Sequence, residues 1–314
     1  MNHRLSLESI ERAMQTIPPE FLNSPQYESE ALNAVLGTRV LLKIETLNPI
    51  RSFKGRGAAH FVAGLEQGVK LVCGSAGNFG QAMAYACRAK GIDLTVFASV
   101  NANPLKLERM RALGANVVLH GDDFDAAKLE AKRWAGLNNA RMVEDGLEPL
   151  ISEGAGTIGL ELLNGNDFDA VLIPLGNGAL LNGVARYFKA HSRAKVVAIC
   201  AAGAPSMLES WRAGKVVRFE SVNTIADGIG VREPILEAVQ DMNGIVDDGL
   251  LVSDASILIA MKLLHQHLGL VVEPSGAVGI AALLEHKEQF ASSRIATIIC
   301  GGNLTLEQLR VWLY

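Results

Sequence analysis

Short apolar runs alternate along the chain with segments whose apolar residues recur at helical spacing. Each run is bounded by glycine, proline or polar residues, which is the pattern of a buried β-strand. Because strands that alternate with helices form parallel sheets covered by helices on both faces, we predict an α/β fold. The predicted strands are Val40–Ile44, Leu71–Cys73, Leu94–Ala98, Val117–Leu119, Val171–Leu175, Val196–Cys200 and Ile295–Cys300.

Several of the predicted helices carry start or stop signals. Pro104 precedes the helix Leu105–Leu113 and Gly114 follows it, which is the usual asymmetry of helix ends. Thr305 and Gln308 form a capping-box pattern at the start of the last helix. Further helices are predicted at Ala58–Leu65, Gln81–Lys90 and Leu180–His191.

Composition and charge narrow the class of protein without changing this picture. A chain of 314 residues predicts two lobes, at about 150 residues per domain. A hydrophobic content of 49% and 31 glycines suit a large core with many tight turns. The net charge of -4 gives no reason to expect nucleic acid or an anionic membrane as a partner.

The lack of a signal peptide and the spacing of the cysteines favour a cytoplasmic location. Residues 1–17 lack the apolar stretch of a signal peptide, and no apolar run reaches the ~18 residues of a membrane-spanning helix. The four cysteines lie far apart and form no CxxC pair, so we expect reduced, mostly buried thiols. We therefore predict a cytoplasmic protein.

One lysine stands out because of its neighbours. Lys54 follows the strand Val40–Ile44, precedes the helix Ala58–Leu65 and is flanked by Phe53 and Gly55, so we place it at a strand-to-helix turn. Glycine allows a backbone or a ligand to come close, and phenylalanine offers an apolar wall. A poorly hydrated lysine is a nucleophile of the kind that Schiff-base chemistry uses. A lysine taken alone, however, is usually a solvated surface residue.

A glycine-rich turn follows the second predicted strand, in Gly74-Ser75-Ala76-Gly77-Asn78-Phe79-Gly80. A dinucleotide-binding turn would need an acidic residue at the end of the next strand, about 20 residues further on, to bind the ribose. That strand ends in Phe97-Ala98-Ser99, and the glycine spacing also differs. The sequence therefore argues against a nicotinamide cofactor.

Two further turns also follow apolar strands. Gly176-Asn177-Gly178-Ala179 opens a helix, where free backbone N–H groups and the helix dipole suit an anion. The loop lacks the Gly-Lys-Ser/Thr sequence of nucleoside triphosphate sites, so it either binds a small phosphate ester or serves only as a turn. Cys300, in Cys300-Gly301-Gly302-Asn303, lies at the carboxyl end of a strand, where open α/β sheets bind ligands. A lone buried cysteine is otherwise an inert core residue.

Taken together, these stretches resemble those of the pyridoxal-phosphate enzymes of fold type II, in the branch of threonine/serine dehydratases (ammonia-lyases) and serine racemases. The resemblance runs from about Pro18 to the C-terminus. The stretches that carry it, in chain order, are Ser52-Phe53-Lys54-Gly55-Arg56, Ser75-Ala76-Gly77-Asn78, Gly176-Asn177-Gly178-Ala179-Leu180, Ile225-Ala226-Asp227-Gly228, Glu273-Pro274-Ser275-Gly276 and Cys300-Gly301-Gly302-Asn303.

The resemblance implies an architecture like that of the tryptophan synthase β chain, with two open parallel-type sheets and helices on both faces. Residues 1–66 plus 141–314 would form a large cofactor-binding domain. Residues 67–140 would form a small domain that closes over the active site. The resemblance also implies a homodimer.

It further implies a role for each matching residue. Lys54 would form a Schiff base with pyridoxal 5′-phosphate and remove the α-proton of the substrate. Phe53 would pack against the cofactor, Asn78 would bond its 3′-oxygen and Cys300 would face its pyridine nitrogen. The substrate carboxylate would be bound by Ser75, Ala76, Gly77 and Asn78, and the cofactor phosphate by Gly176, Asn177, Gly178, Ala179 and Leu180.

These residue types favour an elimination reaction. A thiol of ordinary pKa, about 8.5, gives the ring nitrogen only a weak hydrogen bond and does not protonate it. A carbanion would then be short-lived, so the β-hydroxyl should leave directly after the α-proton is removed. The expected reaction is the elimination of water from a small β-hydroxy amino acid, such as L-threonine or L-serine, giving a 2-oxo acid and ammonia.

The chain departs from the family pattern at several positions. Asn177 and Ala179 replace two of four consecutive glycines, and Phe79 stands where a histidine or a small residue is commoner. Many relatives bind a divalent cation at positions that look like Cys200 and Ser206 here, so we expect no metal site. Because the sequence ends at residue 314, we expect no regulatory domain and no allosteric control by isoleucine.

Alternative functions share the same cofactor contacts. A racemase of this fold would carry a second base, a serine hydroxyl one residue after the position of Ser75, where this chain has Ala76. A β-replacement enzyme of the sulfhydrylase type would carry a different lysine stretch and a threonine-rich asparagine loop. A binding protein that has lost its chemistry is a third alternative, against which the intact Lys54, Asn78 and Cys300 argue. Serine, threonine, hydroxyaspartate and bulkier substrates all remain open.

Overall fold

A computed structural model describes residues 3–102 and 104–314. Residues 1 and 2, in the predicted large domain, and residue 103, in the predicted small domain, lie outside the described residues. The described chain forms one sheet of six strands and one of four, with helices packed around them. The predicted α/β fold with two open, mostly parallel sheets is confirmed.

The elements alternate along the chain as the hydrophobic pattern predicts. The strands are β1 (Gln26–Glu28), β2 (Arg39–Ile44), β3 (Lys70–Gly74), β4 (Asp93–Ala98), β5 (Asn116–Leu119), β6 (Arg141–Met142), β7 (Ala170–Pro174), β8 (Lys195–Ala201), β9 (Asp248–Val252) and β10 (Arg294–Ile299). The α-helices are α1 (Leu7–Thr16), α2 (Glu30–Leu36), α3 (Lys54–Ala63), α4 (Asn78–Lys90), α5 (Pro104–Ala112), α6 (Phe124–Asn138), α7 (Pro149–Leu163), α8 (Ala179–His191), α9 (Ser206–Ala213), α10 (Leu236–Asp241), α11 (Asp254–Leu268), α12 (Pro274–Glu285) and α13 (Leu306–Trp312).

The six-stranded sheet has the order β1-β2-β10-β7-β8-β9. Its strands run parallel, except that β1 pairs antiparallel with β2. In the register of β10, Ile299 lies opposite Ile44 of β2, and Thr297 lies opposite Leu172 of β7. The carboxyl ends of β2, β10 and β7 are therefore neighbours, and the loops that follow these three strands meet at one edge of the sheet.

The four-stranded sheet has the order β5-β4-β3-β6 and is parallel throughout. It contains the strands between Lys70 and Met142, next to the limits 67 and 140 that we predict for the small domain. Those limits stay a prediction, because Phe61 of α3 and Leu71 of β3 belong to one continuous hydrophobic cluster. This cluster therefore contains residues of both predicted domains.

All seven predicted strands overlap observed ones, but three strands were missed. Two of these, β1 and β6, have only three and two residues, too few to show a pattern. The third, β9, is at the edge of the large sheet, and only Gly249 and Val252 of its five residues are buried. Buried central strands are continuously apolar and easy to find, whereas short or edge strands are not.

Helix starts were predicted well at some positions and wrongly at one that matters. Pro104 is the first residue of α5, Gly114 has a φ of 90°, and Thr305 forms the predicted capping box. The helix start predicted at Ala58 is wrong, because α3 already begins at Lys54, where the connection from β2 ends. A Cβ added to Gly57 would lie 2.3 Å from the carbonyl oxygen of Ile151 in α7, so this glycine serves close helix packing rather than a turn.

The buried cysteines agree with the expectation of reduced, mostly buried thiols. No helix in the described ranges combines the length and the hydrophobicity needed to cross a membrane. All four cysteines are buried with free thiols.

A buried ion network lies beneath the first turn of α3. The guanidinium of Arg56, with no exposed surface, donates hydrogen bonds to Glu45 at 2.8 and 2.9 Å and to Glu161 at 2.6 and 2.9 Å. Lys43 lies 2.5 Å from Glu161 as well. Burial alone would raise the pKa of the Glu161 carboxyl, but Arg56 and Lys43 hold it below its ordinary value. Two cations and two carboxylates thus neutralise each other next to Lys54.

Candidate active site

All twelve residues predicted to bind cofactor or substrate line one cavity of about 620 Å³. The cavity is bordered by loops that follow strands of both sheets, and its volume suits a small organic ligand. The residues brought together are Phe53, Lys54, Ser75, Ala76, Gly77, Asn78, Gly176, Asn177, Gly178, Ala179, Leu180 and Cys300.

The two residues before Lys54 are held by the start of the loop that follows β10. The backbone N–H of Phe53 donates to the carbonyl oxygen of Cys300 at 3.1 Å, and the hydroxyl of Ser52 donates to the same oxygen at 3.3 Å. Gly55 packs so tightly on the ring of Phe21 that a Cβ there would lie 2.2 Å from it. The glycine beside Lys54 therefore serves close packing with the protein itself.

The amine of Lys54 lies between an aromatic ring and a carboxylate. Its side chain is 13% exposed, and Nζ lies 4.7 Å from the centre of the Phe53 ring. Nζ also contacts the carboxylate of Asp145, which the sequence analysis did not single out. Asp145 follows the missed two-residue strand β6, so no strand pattern pointed to it.

Asn78 belongs to a hydrogen-bond network with two residues that had been given no role. Its Nδ2 donates to Glu273 Oε1 at 2.7 Å, and its Oδ1 accepts from Asn303 Nδ2 at 2.9 Å. The backbone N–H of Asn303 donates to Glu273 Oε2 at 3.0 Å. Both partners lie in stretches that carry the family resemblance, which was the available signal. One N–H of the Asn78 amide remains for a ligand.

The serine of the same loop is engaged within the loop. The hydroxyl oxygen of Ser75 accepts hydrogen bonds from the backbone N–H groups of Gly77 and Gly80, both at 3.3 Å. These bonds hold the loop that opens α4. The hydroxyl hydrogen of Ser75 stays available for donation.

Glu273 is the most strongly perturbed acid in the cavity. Burial, together with the nearby Asp227 carboxylate, raises its pKa from 4.5 to about 7. The hydrogen bonds from Asn303 and Asn78 oppose this shift without cancelling it. The charge of the network around Asn78 therefore changes near neutral pH.

This shift predicts the effect of Glu273→Gln on the cofactor-free protein. The folded chain keeps the proton of Glu273 to a higher pH than the unfolded chain, so this residue makes the protein less stable as pH rises from 4.5 to about 7. The loss amounts to about 3 kcal/mol, at 1.36 kcal/mol per pKa unit. Urea unfolding at pH 5 and pH 8 should show a smaller difference for Glu273→Gln than for the unaltered chain. Equal differences would contradict the raised pKa.

Cys300 faces the cavity as a neutral thiol. Burial, with the Glu273 charge adding to it, raises its pKa far above the ordinary value assumed from the sequence. Its Sγ lies 3.5 Å from the carbonyl oxygen of Ser275. The ordinary pKa was therefore the wrong premise, and the role of Cys300 toward a ring nitrogen stays a prediction.

The 176–180 loop presents the start of α8 to the cavity. Gly178, with a φ of 96°, is the N-cap residue and offers no side chain to cap the first helical N–H groups. A Cβ added to Gly178 would lie 2.9 Å from Asn182 Nδ2, so no larger residue fits there. The loop thus has the geometry of an anion site.

Two ion pairs at the rim of the cavity link helices beside the four-stranded sheet to the segment between α9 and α10. Lys106 of α5 lies 3.1 Å from Asp227, and Asp125 of α6 contacts Arg232. In both pairs the first residue comes from a helix beside the four-stranded sheet. The second comes from the segment between α9 and α10.

The positions considered for a divalent cation are closed. Cys200 and Ser206 are both buried, and the hydroxyl of Ser206 donates to the carbonyl oxygen of Val231 at 2.5 Å. Within residues 3–102 and 104–314, no three histidine, cysteine or acidic side chains come together as a metal-binding group.

Comparisons with known proteins point in one direction. The family model described as pyridoxal-phosphate dependent enzyme matches residues 17–301. An L-threonine ammonia-lyase from Thermotoga maritima is 33% identical over 310 residues, which cover 97% of this chain and 77% of that protein. A serine racemase from Oryza sativa subsp. indica is 32% identical over 320 residues, covering 98% and 94%.

Solved structures give the same result. The threonine deaminase of T.th. matches with a TM-score of 0.90 and 33% identity, covering 96% of this chain and 99% of that one. Maize serine racemase matches with a TM-score of 0.90 and 29% identity, covering 98% and 96%. The chain is therefore similar both to threonine dehydratases and to serine racemases.

Proposed function

Because the chain belongs to the family of pyridoxal-phosphate-dependent enzymes, we propose that it is an ammonia-lyase acting on a small β-hydroxy amino acid of the L-threonine or L-serine type. It eliminates water from this substrate and releases a 2-oxo acid and ammonia. The observation that carries the proposal is the convergence of Lys54, the 75–78 loop, the 176–180 loop and Cys300 on one cavity. The threonine ammonia-lyase relatives support it.

The cavity fits pyridoxal phosphate at both ends. The uncapped N-terminus of α8 offers backbone N–H groups to a phosphate, as the helix dipole favours. Near Cys300, the buried hydroxyl oxygen of Ser275 has no hydrogen-bond partner among the described residues. A ring nitrogen placed there would meet the unpartnered hydroxyl of Ser275 and the neutral thiol of Cys300, whose S–H donates to the carbonyl oxygen of Ser275.

The side chains of the cavity then divide the work. When bound through Lys54, pyridoxal phosphate supplies the conjugated ring that accepts electrons as the α C–H bond breaks. Lys54 Nζ holds the cofactor and takes the α-proton of the substrate. The 75–78 loop orients the substrate carboxylate, and Asn78 is itself held by Glu273 and Asn303. Phe53 shields the amine from water.

A racemase is the second candidate, because serine racemases match this chain about as well as dehydratases do. Inversion at the α-carbon requires a second proton-carrying group, and the methyl group of Ala76 can neither donate nor accept a proton. A positioned acid–base group contributes roughly 10²–10⁴ in rate, so racemisation should be a trace activity here.

Ala76→Ser tests this assignment directly. The added hydroxyl should raise the rate of D-serine formation from L-serine by at least ~10-fold, while pyruvate formation continues. Chiral chromatography of the reaction mixture measures both products. Ala76→Val, which adds volume but no group that can carry a proton, is the control for altered packing. An Ala76→Ser variant with no gain in D-serine would show that position 76 does not decide between the two reactions.

A panel of β-hydroxy amino acids tests the proposed activity and its range. The purified holoenzyme should release a 2-oxo acid and an equal amount of ammonia from L-threonine, L-serine or both, as measured with coupled dehydrogenase assays. The panel includes threo-3-hydroxyaspartate and 3-phenylserine, which show whether the enzyme accepts a substrate with a charged or a bulky side chain. Failure to release a 2-oxo acid from every member of the panel would overturn the proposal.

A further inference from the structure

Asp145 is an acidic residue in direct contact with the amine on which the proposed chemistry depends. Its side chain is 8% exposed, its Oδ2 contacts Lys54 Nζ, and it lines the same cavity. Its Oδ1 is buried and has no hydrogen-bond partner among the described residues. Burying a carboxylate with one unpaired oxygen lowers the stability of the folded chain. Such an arrangement is more often found at functional sites than in a structural core.

The fold holds Asp145 in this place through the residues that follow it. Gly146 has a φ of 86°, and a Cβ on it would lie 2.1 Å from the carbonyl oxygen of Asn177, so the two loops pack backbone to backbone. Arg4 donates to the carbonyl oxygen of Leu147 at 2.6 Å and forms an ion pair with Asp241 at 2.5 Å. The carboxylate is therefore built into the cavity wall and is not on a free loop.

Three other acidic residues of the cavity lining, Asp125, Glu144 and Asp227, form ion pairs with different cations. Glu144, next to Asp145 in sequence, lies 2.5 Å from Lys128 and 2.7 Å from Lys132. Asp125 contacts Arg232, and Asp227 lies 3.1 Å from Lys106. In the described residues, Lys54 is the ion-pair partner of Asp145. Among these ion pairs of the cavity lining, the amine of Lys54 is therefore matched with the carboxylate of Asp145.

We propose that Asp145 is a catalytic residue that stabilises the protonated amine of Lys54. This rests on the proposed function, in which the C–H bond at the α-carbon breaks and an N–H bond forms on Lys54 Nζ. The α-proton passes to Lys54 Nζ and then leaves with the β-hydroxyl as water when the C–O bond breaks. While the proton is on Nζ, the Asp145 carboxylate supplies the balancing negative charge without taking the proton itself. Lys54 is also the first residue of α3, where the helix dipole disfavours a cation, so a nearby carboxylate is needed.

The proposal makes a prediction that does not depend on turnover. In the cofactor-free chain, the Asp145 carboxylate contacts Lys54 Nζ and competes with any reagent for this amine. Asp145→Asn removes the carboxylate that contacts Lys54 Nζ, so the labelling rate of Lys54 at pH 7 should increase by at least ~10-fold, as expected for the loss of a charge-assisted hydrogen bond. Trinitrobenzenesulfonate, which reacts with neutral amines, is the probe, and peptide mass spectrometry reads the label at Lys54. Circular dichroism checks that each cofactor-free variant is folded.

Matched variants separate this effect from a change in structure. Asp125→Asn removes the same charge from the same cavity but from a different ion pair, so it should leave labelling of Lys54 within about twofold of the unaltered chain. Asp145→Glu keeps the charge and should restore slow labelling. Asp145→Ser provides a smaller neutral side chain if Asp145→Asn does not fold.

A second measurement, of the deuterium isotope effect, uses the holoenzyme. With L-serine deuterated at the α-carbon, Asp145→Asn should lower kcat and increase the deuterium isotope effect on it, because proton transfer to Lys54 becomes slower. Labelling of Lys54 at the unaltered rate in both neutral variants would overturn the role of Asp145. Absence of 2-oxo acid from the unaltered holoenzyme would instead overturn the proposed function, so the two failures are distinguishable.

Discussion

Replacing Lys54 with alanine should abolish both 2-oxo acid release and covalent attachment of pyridoxal phosphate. The unaltered protein should be yellow, and borohydride reduction should fix the cofactor to the peptide containing Lys54. We expect activity to fall by at least ~10⁴-fold, because one residue both holds the cofactor and moves the α-proton. The side chain belongs to the first residue of α3 and lines the cavity, so its truncation enlarges the cavity.

Two variants make this result interpretable. Lys54→Arg keeps the positive charge beside Asp145 but offers no amine, so it should be as inactive as Lys54→Ala and more stable. Lys54→Ala combined with Asp145→Asn removes both members of the ion pair and leaves no buried charge unpaired. Circular dichroism and size-exclusion chromatography report whether each variant is folded. Full activity in a folded Lys54→Ala protein would remove this residue from the mechanism.

Removing the buried guanidinium should have the largest effect on stability. Arg56→Met leaves Glu45 without a cationic partner at hydrogen-bond distance and Glu161 with only Lys43. Breaking a buried ion pair by deleting one partner typically costs about 3–5 kcal/mol. We expect a loss of that size in the free energy of unfolding, measured by urea titration of the cofactor-free chain at neutral pH.

The same variant links stability to function. Arg56 lies two residues after Lys54 on α3, so a disturbed ion network should also weaken cofactor binding. Arg39→Met is the control, because Arg39 is 65% exposed and its pair with Glu28 should contribute no more than about 1 kcal/mol. A loss below about 1 kcal/mol in Arg56→Met would mean that the network relaxes around the missing charge.

The hydrophobic pattern was sufficient for the fold because the strands that matter are buried on both faces. Central strands such as β7 and β10 consist almost entirely of apolar residues, and their carboxyl ends locate the turns that line the cavity. Local rules also placed Pro104 and the Thr305 capping box correctly. The start of α3 was misjudged, because glycines that suggest a turn are needed there for packing against α7.

What the sequence could not provide was pairing between distant residues. Asp145 reaches Lys54 across 91 positions in the chain, and Glu273 reaches Asn78 across 195. The raised pKa values of Glu273 and Cys300 depend on burial, which no local pattern predicts for a polar side chain. The residues that line the cavity could be found from their motifs, whereas the carboxylates that contact Lys54 and Asn78 could be found only from the structure.

The most direct test is to incubate the holoenzyme with L-serine and to quantify pyruvate, ammonia and D-serine in the same reaction. The elimination mechanism predicts pyruvate and ammonia in a ratio of one to one. It also predicts D-serine at no more than ~1% of the pyruvate, since the second proton-carrying group is missing. D-serine that accumulates as fast as pyruvate, or without pyruvate, would contradict the assignment as an ammonia-lyase.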